Sequence, residues 1–214
     1  MATFASDAYE STVLTEWEKV LPRLDLQQNS VDFLTCCQEV INVITNYLWF
    51  RKSDLLRKRM TATLEVGSNT IYLPEEFIAI ETEPVAVIQY NPAKHKKLTN
   101  LPENQRGSRI EDIANASELQ YFDLVDTAIT FYPYPDTISD ITIDIFVKPE
   151  KLTSFESVLP WNGVFNDIIV DNAVKISNYG MSILQDQTFL SSITLMLERI
   201  INMRTKKTIY FRTV

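Results

Sequence analysis

The sequence predicts an α+β protein: a four-helix bundle interrupted by an antiparallel β insertion, with a strand-prone C-terminal tail. Three observations carry this reading. Apolar residues recur at steps of three and four before residue 50 and again after residue 159. Between these stretches the period falls to two. The end of the chain, Thr208 to Val214, is rich in β-branched and aromatic residues. The expected organisation is one structural unit: 1–60 and 158–214 form the bundle and tail, and 61–157 form the inserted β domain.

The first helix is expected over 6–24. Ser6 and Asp7 can cap it, and Val13, Leu14, Trp17, Val20, Leu21 and Leu24 form one apolar stripe. Pro22 ends or bends it. Asn29 or Ser30 caps the second helix, whose apolar face holds Val31, Leu34, Cys37, Val40, Ile41, Ile44 and Leu48. Tyr47, Trp49 and Phe50 broaden that face, so the helix is expected to be buried on more than one side. Cys36 and Cys37 are adjacent and point about 100° apart on a helix, which suits core packing and neither a disulfide nor a metal pair. Ser53-Asp54 restarts a short helix with Leu55 and Leu56 inside. Arg51, Lys52, Arg57, Lys58 and Arg59 then read as a solvated helix end.

The period changes at Met60. Met60 to Val66 and Thr70 to Leu73 flank Gly67-Ser68-Asn69, which predicts a hairpin. Pro74 to Phe77 reads as a one-turn helix. Ile78 to Tyr90 is β-rich, with Pro84 marking an edge or break. Asn91 to Glu118 is polar and mixed in charge, and is expected to be a long loop of the kind that is functional or disordered. Its His95, the only histidine, has no acidic or cysteine partner near in sequence and reads as solvated.

Leu119 to Leu152 holds strand-like runs around Pro133-Tyr134-Pro135-Asp136, read as the last hairpin of the insertion. Within it, Ile141, Ile143, Ile145 and Val147 alternate with Thr142, Asp144 and Phe146, the mark of a half-buried strand. Leu159 to Asn162 begins a third helix bearing Phe165, Ile168, Ile169, Ala173, Ile176, Gly180, Ile183 and Leu184. A fourth follows Asp186, with Phe189, Ile193, Met196, Leu197, Ile200 and Ile201 as core.

Chemistry is sparse. The chain has 214 residues, four glycines and no HExxH, P-loop, GxGxxG, GxSxG, paired CxxC or EF-hand pattern. Asp140 and Asp144 lie four apart on one strand, about 13 Å along it, too far for a retaining glycosidase pair. No catalytic, metal or cofactor residue nominates itself, so an enzyme is not expected. MATFASDAYE lacks the positive and apolar regions of a secretory signal, and no apolar run approaches the length of a membrane span.

Net charge is −8, a poor match for wrapping nucleic acid. The charge is uneven. Residues 199–214 hold five basic residues and no acid; with 20 basic and 28 acidic residues in all, the rest of the chain is left with 15 and 28. An acidic body with a basic tail points to an acidic partner surface for the tail, with Arg204, Lys206, Lys207, Ile209, Tyr210, Phe211 and Arg212 as contacts. Lys94, Lys96, Lys97, Arg106 and Arg109 are candidate contacts in the loop before Leu119.

Two segments carry a family resemblance. One is MTATLEVGSNTIYLPEEFIAI, from Met60 to Ile80. The other comprises AITFYPYPDTISDITIDIFVKPEKLT and, after a spacer, VLPWNGVFNDIIVDNAVKISNYGM, from Ala128 to Met181. These resemble the head–tail connector adaptors of tailed phages, of the tail tubular protein A type. The family's YxLPxDF element is matched by Tyr72, Leu73, Pro74, Glu76 and Phe77, with Glu where Asp is commoner. Its helix start is matched by Pro160, Phe165, Asp167, Ile168 and Ile169. The 91–118 loop has no counterpart in that pattern.

The resemblance implies a virion protein assembled in the host cytoplasm. It implies a homo-oligomeric ring, typically of twelve copies, beneath the portal and above the next tail protein. Such a ring extends the DNA channel without sequence-specific binding, and it needs no cofactor and no membrane. The alternatives are another structural subunit of a virion or secretion machine, or a small enzyme without a recognisable motif.

Overall fold

The computed structural model describes residues 12, 13, 16, 33–80, 87–91, 94–101, 119–135 and 137–210. The chain divides into two compact units. One is made from 1–55 and 149–214, the other from 56–148.

The second unit is built on strands β1 (Arg57–Leu64), β2 (Thr70–Tyr72), β3 (Phe77–Ile80), β4 (Val87–Asn91), β5 (Lys94–Asn100), β6 (Tyr121–Val125), β7 (Ala128–Tyr132) and β8 (Ser139–Val147). Their order is β1-β8-β4-β5-β6-β7-β2, with β3 also on β8. β8 carries the alternation predicted for it as far as Ile145, but Phe146, expected on the open face, is buried and Val147 only half-buried. Ile141, Ile143 and Ile145 are fully buried, and Asp140 is exposed. Both of its edges are used: β1 pairs along one, β4 and β3 share the other.

The core collects Leu64, Ile71, Leu73, Leu98, Leu119, Phe122, Ile129 and Phe131 around the three isoleucines of β8. These residues come from both ends of the strand order, so the sheet folds over one apolar interior. β5 makes the corner. Its first part pairs antiparallel with β4, and Thr99 and Asn100 pair parallel with β6. The insertion is therefore mixed rather than purely antiparallel.

Neither predicted hairpin forms. β1 and β2 flank Gly67-Ser68-Asn69, yet β1 pairs β8 and β2 pairs β7. β7 and β8 flank Pro133-Tyr134-Pro135, yet β7 pairs β6 and β2. Both connections cross between the halves of the folded sheet and run side by side. The Phe131 N–H donates to the Asn69 carbonyl at 2.7 Å and the Gly67 N–H to the Pro135 carbonyl at 3.4 Å. Turn chemistry reports that the chain reverses, not which strand receives it.

Three further expectations change here. Pro74 to Phe77 is a hydrogen-bonded turn, the Phe77 N–H donating to the Pro74 carbonyl at 3.0 Å, not a helical turn. Arg57, Lys58 and Arg59 open β1 instead of ending a helix, after a single 3-10 turn over Asp54–Leu56. The long loop expected over 91–118 begins with strand β5, while 102–118 lies outside the described residues.

The first unit contains helices α1 (Phe33–Phe50), α2 (Asn166–Tyr179) and α3 (Gln187–Tyr210). The predicted four-helix bundle is not what forms: the described residues of this unit hold these three helices, and the strands belong to the other unit. Of the expected helix over 6–24, only Thr12, Val13 and Glu16 are described. Val13 is fully buried, and its N–H donates to the Ser157 carbonyl at 3.0 Å. α1 buries Phe33, Cys36, Cys37, Val40, Ile41, Ile44, Thr45 and Leu48, a face wide enough to pack on more than one neighbour. The segment after the β unit is tied to it through Gln38, whose Oε1 accepts from the Leu152 N–H at 2.9 Å.

α2 starts later and ends earlier than expected. Trp161, Asn162 and Gly163 form a left-handed turn with φ of 64°, 50° and 77°. Asn and Gly tolerate that region, whereas Trp does not. The Trp161 ring packs edge-on against Phe165 with centroids 5.3 Å apart, which offsets part of that cost. Gly180, at φ 84°, stops α2 before Ile183 and Leu184, which fall in a separate 3-10 turn. The Asp186 carboxylate then caps α3 by accepting from the Thr188 N–H at 2.7 Å.

α3 runs to Tyr210, so Thr208, Ile209 and Tyr210 are helical and the expected strand-like tail is overturned. Extending an existing helix adds a hydrogen bond for each residue fixed, while a lone strand has no partner to pair with. Residues 211–214 lie outside the described residues.

On the outer side of β1 and β8, Arg59 grips Asp144 with two hydrogen bonds of 2.7 Å, and Thr63 donates to Asp140 at 2.7 Å. The Arg59 hydrogen bond holds the Asp144 carboxyl below its ordinary value near 3.8. A carboxyl with a depressed folded value stabilises the fold above its unfolded pKa and loses that contribution as pH falls through the folded one. Asp144→Asn should therefore flatten the fall in thermal midpoint on acidification below about pH 4, seen by circular dichroism at stepped pH. On the inner side, Ile143→Ala should lower the stability of the β unit by about 2–5 kcal/mol, measured by urea denaturation.

Candidate functional site

A cleft of about 320 Å³ opens in the helical unit between the end of α1 and the middle of α3. α1 supplies Tyr47, the turn after it Arg51, Lys52, Ser53 and Asp54, and α3 supplies Glu198, Ile201 and Asn202. The turn geometry follows from how α1 stops. The Ser53 N–H donates to the Leu48 carbonyl and the Lys52 N–H to the Trp49 carbonyl, both at 2.9 Å, and Lys52 sits at φ 48°. This is the double hydrogen bond of a Schellman stop, with lysine where glycine is favoured.

Arg51 bridges the cleft. Its guanidinium lies over the Tyr47 ring, 5.6 Å from the centroid, and its Nη2 donates to Glu198 Oε1 at 2.7 Å. Contact with Tyr47, then the Glu198 carboxylate, raises its pKa further. Ser53 Oγ accepts from the Leu55 N–H at 3.3 Å, so it serves the turn. The cleft is charged and aromatic-floored, a lining that can bind a polar group.

The described residues contain no group of three or more His, Cys, Asp or Glu placed to hold a metal ion. No helix among them is long and apolar enough to cross a membrane.

The residues nominated from sequence fall in separate places. Arg204, Lys206, Lys207, Ile209 and Tyr210 lie on the last turns of α3, while Phe211 and Arg212 lie outside the described residues. Lys94, Lys96 and Lys97 stand on β5, in register with Asn91, Gln89 and Ile88 of β4. His95 is on the same strand, opposite Tyr90. Arg106 and Arg109 lie outside the described residues.

The apolar pattern pointed to burial at two positions that the fold leaves open. Phe50 is 86% exposed at the end of α1, and Met196 is exposed on α3. With Leu195 and Met203, Met196 adds exposed apolar surface to α3 beyond the buried Phe189, Ile193 and Leu197. The spacing of Leu195 and Met203, two turns apart, is the sequence signal for that surface. Glu198 and Tyr47 were not distinguishable as a site, because their approach joins residues from opposite ends of the chain.

Searched against protein-family models and curated proteins, the chain matches none.

Lys52→Gly should relieve the left-handed backbone at the cleft. It is expected to stabilise the helical unit by about 1 kcal/mol, read as a higher urea midpoint.

Proposed function

We propose that the chain is a structural head-to-tail adaptor of a phage virion, forming an oligomeric ring between portal and tail that extends the DNA channel. The observation that carries this reading is the number of large apolar side chains standing in solvent on both units. Phe50 is 86% exposed, Tyr72 77% and Tyr179 74%, with Leu195, Met203, Val66, Val125, Tyr134 and Ile138 also exposed. Where such side chains gather into contiguous patches, they mark surfaces for protein partners.

Two further points support the reading. The helical unit is assembled from both ends of the chain and carries the β unit as an insertion, the organisation that the resemblance implies. The acidic balance of the body favours a channel wall that repels DNA and lets it slide. No cofactor is part of this function.

The basic end of α3 is the segment offered to the portal. Because it is helical, it engages as a helix in a groove rather than as an added strand. The purified chain should co-sediment with portal rings and appear beneath them by cryo-electron microscopy. Deleting 205–214 should abolish that docking while the far-UV circular dichroism per residue stays near that of the full chain. Failure of the full-length chain to bind either portal or tail proteins would remove the adaptor reading.

A further inference from the structure

In the β unit, β6, β7 and β2 lie side by side, and one face of this layer is fixed by what the other face buries. Phe122 of β6, Ile129 and Phe131 of β7 and Ile71 of β2 belong to the core. Alternation then turns their neighbours along each strand to the outer face.

The register orders that outer face into three rows. Tyr121 stands opposite Tyr132. Asp123, Thr130 and Thr70 form the middle row, and Val125, Ala128 and Tyr72 the last. Tyr72 is 77% exposed and Val125 60%. Between them Ala128 is small, as is Thr130 further along β7, so a shallow trough follows that strand. Tyr72 and Val125 wall one end of it. The rings of Tyr121 and Tyr132 close the other end, about 14 Å along the strand. Tyr134 is exposed near the same end. Burial first, then the Asp123 carboxylate and Tyr134, holds the Tyr132 phenol above its ordinary value, which places Asp123 and Tyr134 beside it.

The chemistry of the face narrows its ligand. None of these residues is a lysine or arginine, so the face offers no cation to a phosphate or an acidic peptide. Its rings are separated by a polar row, so it is not the continuous apolar patch of a protein contact. Phenol rings alternating with hydroxyls suit a ligand that has apolar C–H faces and hydroxyls at its edges. A sugar ring has both.

We propose that the outer face of β6, β7 and β2 binds a neutral oligosaccharide, which lies along β7 with sugar rings stacked on Tyr72 and Tyr132. Thr130 and Thr70 meet its hydroxyls. The Thr70 hydroxyl donates to Asn69 Oδ1 at 3.3 Å and keeps its lone pairs for a sugar hydroxyl. Asp123 has a partner within the chain, and the contact does not require it. The rings stand on paired strands, so little freedom is lost on binding. This site goes beyond the adaptor reading and does not rest on it.

The test is affinity electrophoresis of the full-length chain through gels holding dextran, hydroxyethylcellulose or galactomannan, all uncharged, or alginate, which is anionic. At least one uncharged polymer should retard the chain. The retardation should persist as salt is raised, because no ion pair is involved. Tyr72→Ala should weaken binding about tenfold, and Tyr72→Phe should retain it. Ala128→Leu, which fills the trough, should also weaken it. Circular dichroism of Y72A should match wild type, since that ring stands in solvent.

Three results would overturn the site. No uncharged polymer could retard the wild type, alginate alone could retard it, or Y72A could bind as wild type does. Loss of portal or tail-protein binding in Y72A, with no retardation by any sugar polymer, would make this face a protein contact and remove the glycan reading. Sugar binding by a chain that ignores portals retains the site and removes only the adaptor function.

Discussion

The β unit depends on one strand whose two edges are both in use. β8 is paired along its length with β1 on one side and with β4 and β3 on the other. Its inward residues, Ile141, Ile143 and Ile145, have no exposed surface. A strand so placed loses its pairing on either side if its register slips, and a one-residue slip would turn the isoleucines outward and the aspartates inward. The polar ladder on the outer face reinforces that register, since Arg59 reaches Asp144 and Thr63 reaches Asp140 only in this alignment.

Commitment of β8 to β1, β3 and β4 has a consequence for the neighbouring turns. With its edges taken, β8 cannot pair with β7, so the proline segment before it must carry the chain across the folded sheet. The same holds for the glycine turn after β1. The two crossings lie together and satisfy each other's backbone groups through Asn69, Phe131, Gly67 and Pro135. Segments that cannot join a ladder still need partners for their N–H and C=O groups, and here they provide them mutually.

The helical unit is governed by how its helices stop. Lysine in a left-handed position ends α1, glycine ends α2, and a left-handed turn through Trp161 precedes α2. These stops place Arg51 against Tyr47 and Glu198, and leave Phe50 and Tyr179 in solvent at helix ends. α3, the longest helix, buries Phe189, Ile193 and Leu197 and exposes other apolar residues. A helix needs only one apolar face to pack in a monomer, so the exposed Leu195, Met196 and Met203 are apolar surface beyond what that packing uses.

Much of the local structure was legible in the sequence, for a physical reason. Alternation in β8 from Ser139 to Ile145 and in Ala128 to Tyr132, and three-four spacing in α1 and after Phe165, are direct imprints of backbone period and one-sided burial. What only the tertiary structure decided was partnership. Gly67-Ser68-Asn69 and Pro133-Tyr134-Pro135 mark reversals with no information on the receiving strand. Thr208 to Tyr210 favour a strand, but join a helix already formed. Met196 and Phe50 fit an apolar stripe, but nothing local states whether that stripe is covered. The cleft at Arg51 and Glu198 joins residues distant in sequence and follows from helix packing alone. Periodicity is a short-range property of the chain, whereas pairing, coverage and clefts depend on long-range contacts, and that difference in range separates what could be read from what had to be seen.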